Sequence, residues 1–518
     1  MKQGEFFWMS ASKSKQLKAG TLLSYAQTIA GIVIALIYTP AMLRLLGKTE
    51  YGLYNIAASI ISYVNLLNLG FSSSYVRFYS RDKAANDYKA LARTNGLFCI
   101  VFMVIGVLAL FSGIVLTACA RLIFSTGLSE SEYVIARTIM AILTVSTAYN
   151  LSTSIFSSII IAHEQFIFHK TVNLIKTILS PALTWVLLMR GYRSIMMASV
   201  TAGLTVVADT FYVIYCFKRL RIKVDFSNPS AAQLKEISVF SGFVALTSIV
   251  DQINWSIDKI LLGRMWGAAY TAVYSVAAAI SNIYIRISTA ISNVFIPRAN
   301  RFVAENRPDS ELTGFFIKIG RIQMLVLLPV LLGFIFFGQK FISLWTPKGY
   351  GEAYIITLLL IVPATIPLVQ NIGIPIQMAQ NKHQFRSLLY AGMALVNFAL
   401  SVLLCRRYGA VGCAAATAVS LLFANGIAMN IYYHKSIGLN IIRFWKSMAQ
   451  FLPTAAVTSA AGYAIMRFSK IDGWAAFIGW GAAFCAVYML MAWFTAMNHS
   501  EKQIVYSIIG KIRRVAKG

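Results

Sequence analysis

The stretch GLFCIVFMVIGVLALFSGIVLTACA, Gly96 to Ala120, contains no charged residue. A helix needs about 20 residues, at about 1.5 Å each, to cross the roughly 30 Å hydrocarbon core of a bilayer. This run is long enough, and similar runs recur on both sides of it. Upstream, spans fall near 21–43 and 52–76, and downstream near 138–162, 171–189 and 195–217. A second set follows near 239–262, 271–296, 322–338, 354–376, 387–405 and 410–433, and two more lie near 448–466 and 474–497. The predicted fold class is therefore all-α: a polytopic membrane protein with about fourteen transmembrane helices.

Composition agrees. Of 518 residues, 58% are hydrophobic and 12% charged, against about 25% charged in a soluble domain. The formal charge of +28 would suggest nucleic acid in a soluble domain. Here the Lys and Arg residues sit between apolar runs, without a basic stripe of interleaved aromatics, so no nucleic-acid partner is expected. The six cysteines, Cys99, Cys119, Cys216, Cys405, Cys413 and Cys485, lie in or beside apolar runs and form no CxxC pair. They read as small packing residues rather than disulfides or zinc ligands. Residues 1–20 are polar and basic, and the first apolar run shows no cleavage site, so the first helix is expected to stay as an anchor.

The spans divide the chain into an N-terminal six-helix bundle at 1–217, a basic linker at 218–236, a second six-helix bundle at 237–440, and helices thirteen and fourteen with a basic tail at 441–518. The linker holds a break at Ser227, Asn228, Pro229 and Ser230. Most of the 46 Lys and Arg residues fall on one side of the alternating map. Clusters at Arg77–Arg93, Lys218–Lys235, Arg298–Arg321 and Lys502–Lys517 place that side, and both termini, in the cytoplasm. Leu45-Leu46-Gly47-Lys48 with Tyr54 ends the first span. Leu261-Leu262-Gly263-Arg264 with Tyr270 ends the seventh at the same offset. This points to an internal duplication, a habit of transporters whose two halves rock about a central site.

Charges inside spans are costly and need a reason. Arg286 lies near the middle of the eighth span, far from both ends, and reads as lining a water-filled cavity. Two roles fit Arg77 and Lys176: a cationic cavity wall, or snorkelling to an interface. Asp258 and Lys259 are adjacent, so they point to different helix faces, and they lie about a turn from the span's outer end. Asp251 shares a face with Asp258, seven residues on. Asp209 lies within the sixth span. A cavity lined by Arg286, Arg77, Lys176 and Lys259 would hold an anion, and the arginine fork suits phosphate. Asp209, Asp251 and Asp258 are candidates for proton or sodium coupling. Pro363, Pro367 and Pro375, with Gln370, Asn371 and Gly373 between them, mark either a hinge along a transport path or a kinked packing helix.

No chemistry of an enzyme surfaces. The five histidines, His163, His169, His383, His434 and His499, form no HExxH or paired-ligand spacing, and there is no Walker loop and no GxSxG elbow. No cofactor and no metal site is expected.

Several loops carry a resemblance. Leu45-Leu46-Gly47 with Glu50-Tyr51-Gly52-Leu53-Tyr54, then Asp258-Lys259-Ile260-Leu261-Leu262-Gly263, look like two signatures of one family. Phe341-Ile342-Ser343-Leu344-Trp345 with Tyr350 and Ala353-Tyr354 adds a third. Asn381-Lys382-His383 and Tyr408-Gly409-Ala410-Val411-Gly412 with Ala414 to Thr417 add later ones. In order and spacing the chain resembles the Wzx-type polysaccharide-biosynthesis flippases, in the superfamily of multidrug and oligosaccharidyl-lipid exporters. The resemblance implies two pseudo-symmetric six-helix bundles around a central cavity, with two further C-terminal helices. It also implies alternating access in the inner membrane, and an undecaprenyl-pyrophosphate-linked oligosaccharide as cargo. Membrane lipids, and a polysaccharide polymerase with export proteins, would be its partners. A multidrug or metabolite antiporter and a lipid II flippase share the superfamily and stay open as alternatives. A membrane glycosyltransferase or polymerase fits less well, because the longest external loop, Arg121–Arg137, is short.

Overall fold

The computed structural model describes residues 2–124, 127–227, 237, 252, 256–382, 384–503 and 506, with side chains at residue 16 and from residue 19 onward. Asp251, His383, Asn228-Pro229-Ser230, most of the seventh expected span and nearly all of the tail after 503 lie outside them. Among the described residues the chain is helical throughout, with no strand. Nine helices are long and apolar enough to cross a membrane, or up to ten if one bent pair is a single span.

That number reconciles with the larger one read from sequence. The first apolar helix, Ala19–Ala84, has 66 residues, about 100 Å if straight and three times a bilayer core. Gly47, at φ 77° and ψ 174°, breaks it, a conformation that costs glycine little. Gly409, at φ 56°, likewise breaks the run Gln384–Ile437 of 54 residues. Each therefore holds two spans. Another helix, Leu452–Phe468, is 17 residues long.

The chain forms two compact units, Met1–Ser275 with Ala394–Cys413, and Val276–Met393 with Ala414–Gly518. In the first unit, α1 (Lys2–Ser62), α2 (Phe71–Ala84), α3 (Tyr88–Ala118), α4 (Glu130–Ala162), α5 (Phe166–Met189) and α6 (Ser194–Lys218) follow in order. Two of these helices, α3 and α4, are capped at their starts by side chains. Asp87 accepts the amides of Lys89 and Ala90 ahead of α3, and Ser129 with Glu132 forms a capping box ahead of α4. Helices α3 and α4 lie close because Gly106 and Gly113 face Ser152 and Thr144. In a membrane, where apolar burial gives no drive between helices, such close backbone approach supplies the attraction. The other side of α3 is open and apolar, with Met103, Val107, Phe111 and Ile114 all more than half exposed. A face of that kind belongs against lipid. Beyond α6, residues 219–227 run back to the start of α3, where the Asp225 amide bonds the Ala92 carbonyl. Hydrogen bonds from Ser227 hold the Asp225 carboxyl below its ordinary range.

In the second unit, α9 (Asp309–Trp345) packs beside α10 (Ala353–Val369), α14 (Leu452–Phe468) and α15 (Trp474–Met491). Ahead of it, α7 (256–265) belongs to the first unit, and α8 (Ala268–Ala304) and α12 (Gln384–Leu421) supply residues to both. Short helices α11 (Gly373–Ala379) and α13 (Ile441–Ala449) complete it. A buried cluster of Phe316, Phe444, Tyr433 and Ile319 forms one core of this unit. A buried Arg321–Glu501 ion pair, 2.7 Å from Nε to Oε1, ties α9 to the segment after α15.

Candidate functional site

Arg286 is exposed and stands at the centre of a polar face on α8. Asn282, Arg286, Thr289, Asn293 and Asn300 are spaced 4, 3, 4 and 7 residues apart, which aligns them on one side of a helix. All but Thr289, which is partly buried, are exposed. The stripe rises roughly 27 Å, close to the full hydrocarbon thickness. A charged side chain against lipid costs about 2.5–3.5 kcal/mol or more at mid-membrane, so this face belongs against water.

The opposite face of α8 is buried and does different work. Tyr284 bonds Thr365 at 2.9 Å, and Ser288 donates to the Leu368 carbonyl at 3.0 Å. Both partners lie on α10, which carries Pro363 and Pro367. Prolines at these positions cannot donate to the carbonyls of Leu359 and Pro363 and crowd the preceding turn. The helix then stops at Gln370 and resumes as α11, which contains Pro375, after a bend of 47°. Side chains hold the break: Gln370 donates to Asn430 at 2.8 Å, and Gln377 to the Tyr433 hydroxyl at 2.8 Å. Asn430 and Tyr433 border two π-helical stretches, Leu422–Ala428 and Tyr433–Ile437, a departure from α geometry common at functional sites. Thus the three prolines do bracket a break, and Arg286 rides on a helix hydrogen-bonded to it.

The first unit holds the other candidates. Lys176 on α5 and Asp209 on α6 come within Coulombic range of each other. Asp209 is buried and accepts the Asn150 amide at 2.8 Å, and beside it Tyr149 bonds Thr210 at 2.8 Å. Arg77 is exposed on α2, with exposed Ser73 and Ser80 four residues before and three after. Asp258 is 1% exposed. Its two oxygens take the Tyr274 hydroxyl at 2.6 Å and the Ser401 hydroxyl at 2.9 Å, joining α7 to α8 and α12. Lys259, next to it, is partly buried.

Sequence reading isolated Arg286 but not its stripe. The period of Asn282, Arg286, Thr289, Asn293 and Asn300 was the available signal. The Tyr284 and Ser288 bonds to α10 had none, since nothing along the chain pairs residues 80 apart. Among the described residues no cluster of three metal-ligating side chains occurs.

A polytopic helical protein with a polar, cationic helix face and a proline-broken helix has the architecture of a membrane transporter. The family model described as "Polysaccharide biosynthesis protein" matches residues 41–355, and the chain belongs to that family. The "Putative O-antigen transporter" of Shigella flexneri is 22% identical over 391 residues, 73% of this chain and 88% of that protein. The "Capsular polysaccharide biosynthesis protein CapF" of Staphylococcus aureus is 28% identical over 148 residues, 28% of this chain and 36% of that one. Among solved structures, the lipid II flippase MurJ in an inward closed conformation superposes with TM-score 0.71 at 14% identity, covering 91% of this chain and 97% of that one. An inward-facing MATE-family multidrug transporter gives 0.59 at 16% identity, covering 84% and 99%. The fold is therefore that of this exporter superfamily, and the chain is a multi-pass bacterial membrane protein.

Proposed function

We propose that this chain is a flippase that moves an undecaprenyl-pyrophosphate-linked oligosaccharide across the inner membrane for surface-polysaccharide assembly. The observation that carries the reading is the α8 stripe, with Arg286 at its centre and its back face bonded to the broken α10. A pyrophosphate needs a cation in a wet cavity while its lipid tail stays in the bilayer. Arg286 supplies the fork that a phosphate accepts, and Arg77, Lys176 and Lys259 are further cations for the same anion. The break at Pro363, Pro367 and Pro375 is the hinge. When it flexes, Tyr284 and Ser288 carry α8 and Arg286 with it. Asp209, Asp251 and Asp258 are the candidate ion-coupling carboxylates. Two six-helix bundles at 1–217 and 237–440, with both termini cytoplasmic, would alternate access to the cargo. No catalytic step is assigned. The kinship with a protein named as an O-antigen transporter supports the cargo class.

The likeness to a lipid II flippase over most of the chain favours a second reading, in which the cargo is the peptidoglycan precursor. One experiment separates them. The protein is depleted in its host, and a sugar probe that cannot cross the membrane reports where each lipid-linked glycan sits. Polysaccharide repeat units trapped on the cytoplasmic leaflet, rescued by wild type, support the proposal. Trapped lipid II supports the second reading, and repeat units and lipid II that both reach the outer leaflet normally refute both.

A further inference from the structure

At one end of the second unit, a cavity of about 360 Å³ opens between α9, α13 and the segment after α15. Lys318, Arg443 and Lys446 border it, all three exposed. Its floor is Arg321, which is 2% exposed. Every nitrogen of that guanidinium is already bound to protein. Nε and Nη2 grip the two oxygens of Glu501, and Nη1 donates to Gln450 at 2.7 Å and to Ser447. Both oxygens of Glu501 are thereby engaged by Arg321. Lys318, Arg443 and Lys446 have no ion pair among the described residues. From Lys502 to Gly518 the sequence contains no Asp or Glu.

The polar lining is suited to an anion. Because the Gln450 side-chain oxygen accepts from Arg321, its NH₂ donors are left for the cavity. Three cations with no ion pair among the described residues, set over a fixed floor, suit a phosphate group, and the volume lies within the usual range for small-molecule sites, about 300–1,000 Å³. The setting identifies where that phosphate comes from. Helix α13 is amphipathic: Ile441, Phe444 and Met448 are buried in the unit, and Arg443 and Lys446 point outward beside Ile442, 72% exposed. Leu452, 66% exposed, follows at the start of α14. Trp445, bonded through its indole N–H to Asn430, completes an arrangement typical of a helix lying in the membrane–water interface.

We infer that this cavity binds the phosphate headgroup of an acidic phospholipid, with Lys318, Arg443 and Lys446 on the phosphate and the acyl chains beside Ile442 and Leu452. The charge pattern assigns this face to the cytoplasmic leaflet. The site does not depend on the flippase reading, since none of its residues belongs to the α8 stripe or the α10 break.

The test uses the full-length protein, incubated in detergent with equal amounts of phosphatidylglycerol and phosphatidylcholine and examined by native mass spectrometry. Wild type is expected to retain phosphatidylglycerol over phosphatidylcholine. Arg443→Glu with Lys446→Glu should reduce that retention by at least about tenfold, and Lys318→Gln by less. Lys340→Glu with Lys348→Glu, an equal charge change on exposed residues elsewhere in the unit, should leave it unchanged. Equal retention of the two lipids by wild type overturns the inference, as does undiminished retention by the Arg443–Lys446 variant. Displacement of the lipid by millimolar inorganic phosphate also overturns it, because the cavity would then answer to a free anion.

Discussion

Replacing Arg286 with alanine removes the one charge on the α8 stripe. The Arg286 side chain is exposed, and its guanidinium makes no ion pair among the described residues. Its backbone carbonyl accepts the Thr289 hydroxyl at 3.1 Å. The variant should therefore fold and insert as wild type does. A hydrogen bond to a charged group is worth about 1.5–3 kcal/mol, which converts to roughly 10- to 150-fold in affinity at about 1.4 kcal/mol per tenfold. Because the face is wet, raised salt should shrink the difference. Arg286→Lys keeps the charge but loses the fork and should fall between the two. The assay is binding of a short-chain polyprenyl-pyrophosphate oligosaccharide to purified protein, paired with the leaflet probe in depleted cells. If Arg286→Ala binds and rescues as wild type, the cationic-stripe argument is wrong.

Three further outcomes are expected. Arg321→Ala leaves Glu501 buried without its partner and should cost about 3–5 kcal/mol, seen as a lower unfolding temperature. Replacing both by Met and Leu should recover much of it, and no recovery would show that the pair does more than neutralise itself. Ser288→Ala removes one bond between α8 and α10, worth about 1 kcal/mol. It should slow rescue while leaving binding of the pyrophosphate lipid unchanged, and an equal loss in both would place Ser288 at the cargo rather than at the hinge. Gly106→Val would put a Cβ 1.6 Å from the Ser152 hydroxyl. Forcing α3 from α4 should cost about 1–3 kcal/mol, measured as lower yield and melting temperature, and a neutral result would mean that the helices separate freely.

The stretch from Gly96 to Ala120 was enough to establish a membrane-spanning helix, because lipid leaves the backbone few alternatives and its burial depends on local composition. For the same reason the class, the approximate spans and the break around Pro363, Pro367 and Pro375 were legible along the chain. Arg286 stood out because a charge in mid-span has no cheap local explanation. What composition could not specify was partnership. Arg321 reads as one more cation in a basic loop cluster, yet it is buried against Glu501, 180 residues away. Asp258 reads as an isolated charge in a span, yet its oxygens accept hydrogen bonds from Tyr274 and Ser401. Lys176 and Asp209 sit on successive helices and come within Coulombic range of each other only once those helices pack. Desolvation makes every polar group in a span seek a partner, but the choice of partner depends on which helix faces touch. Only the tertiary structure decides that, because those contacts join residues far apart in the chain.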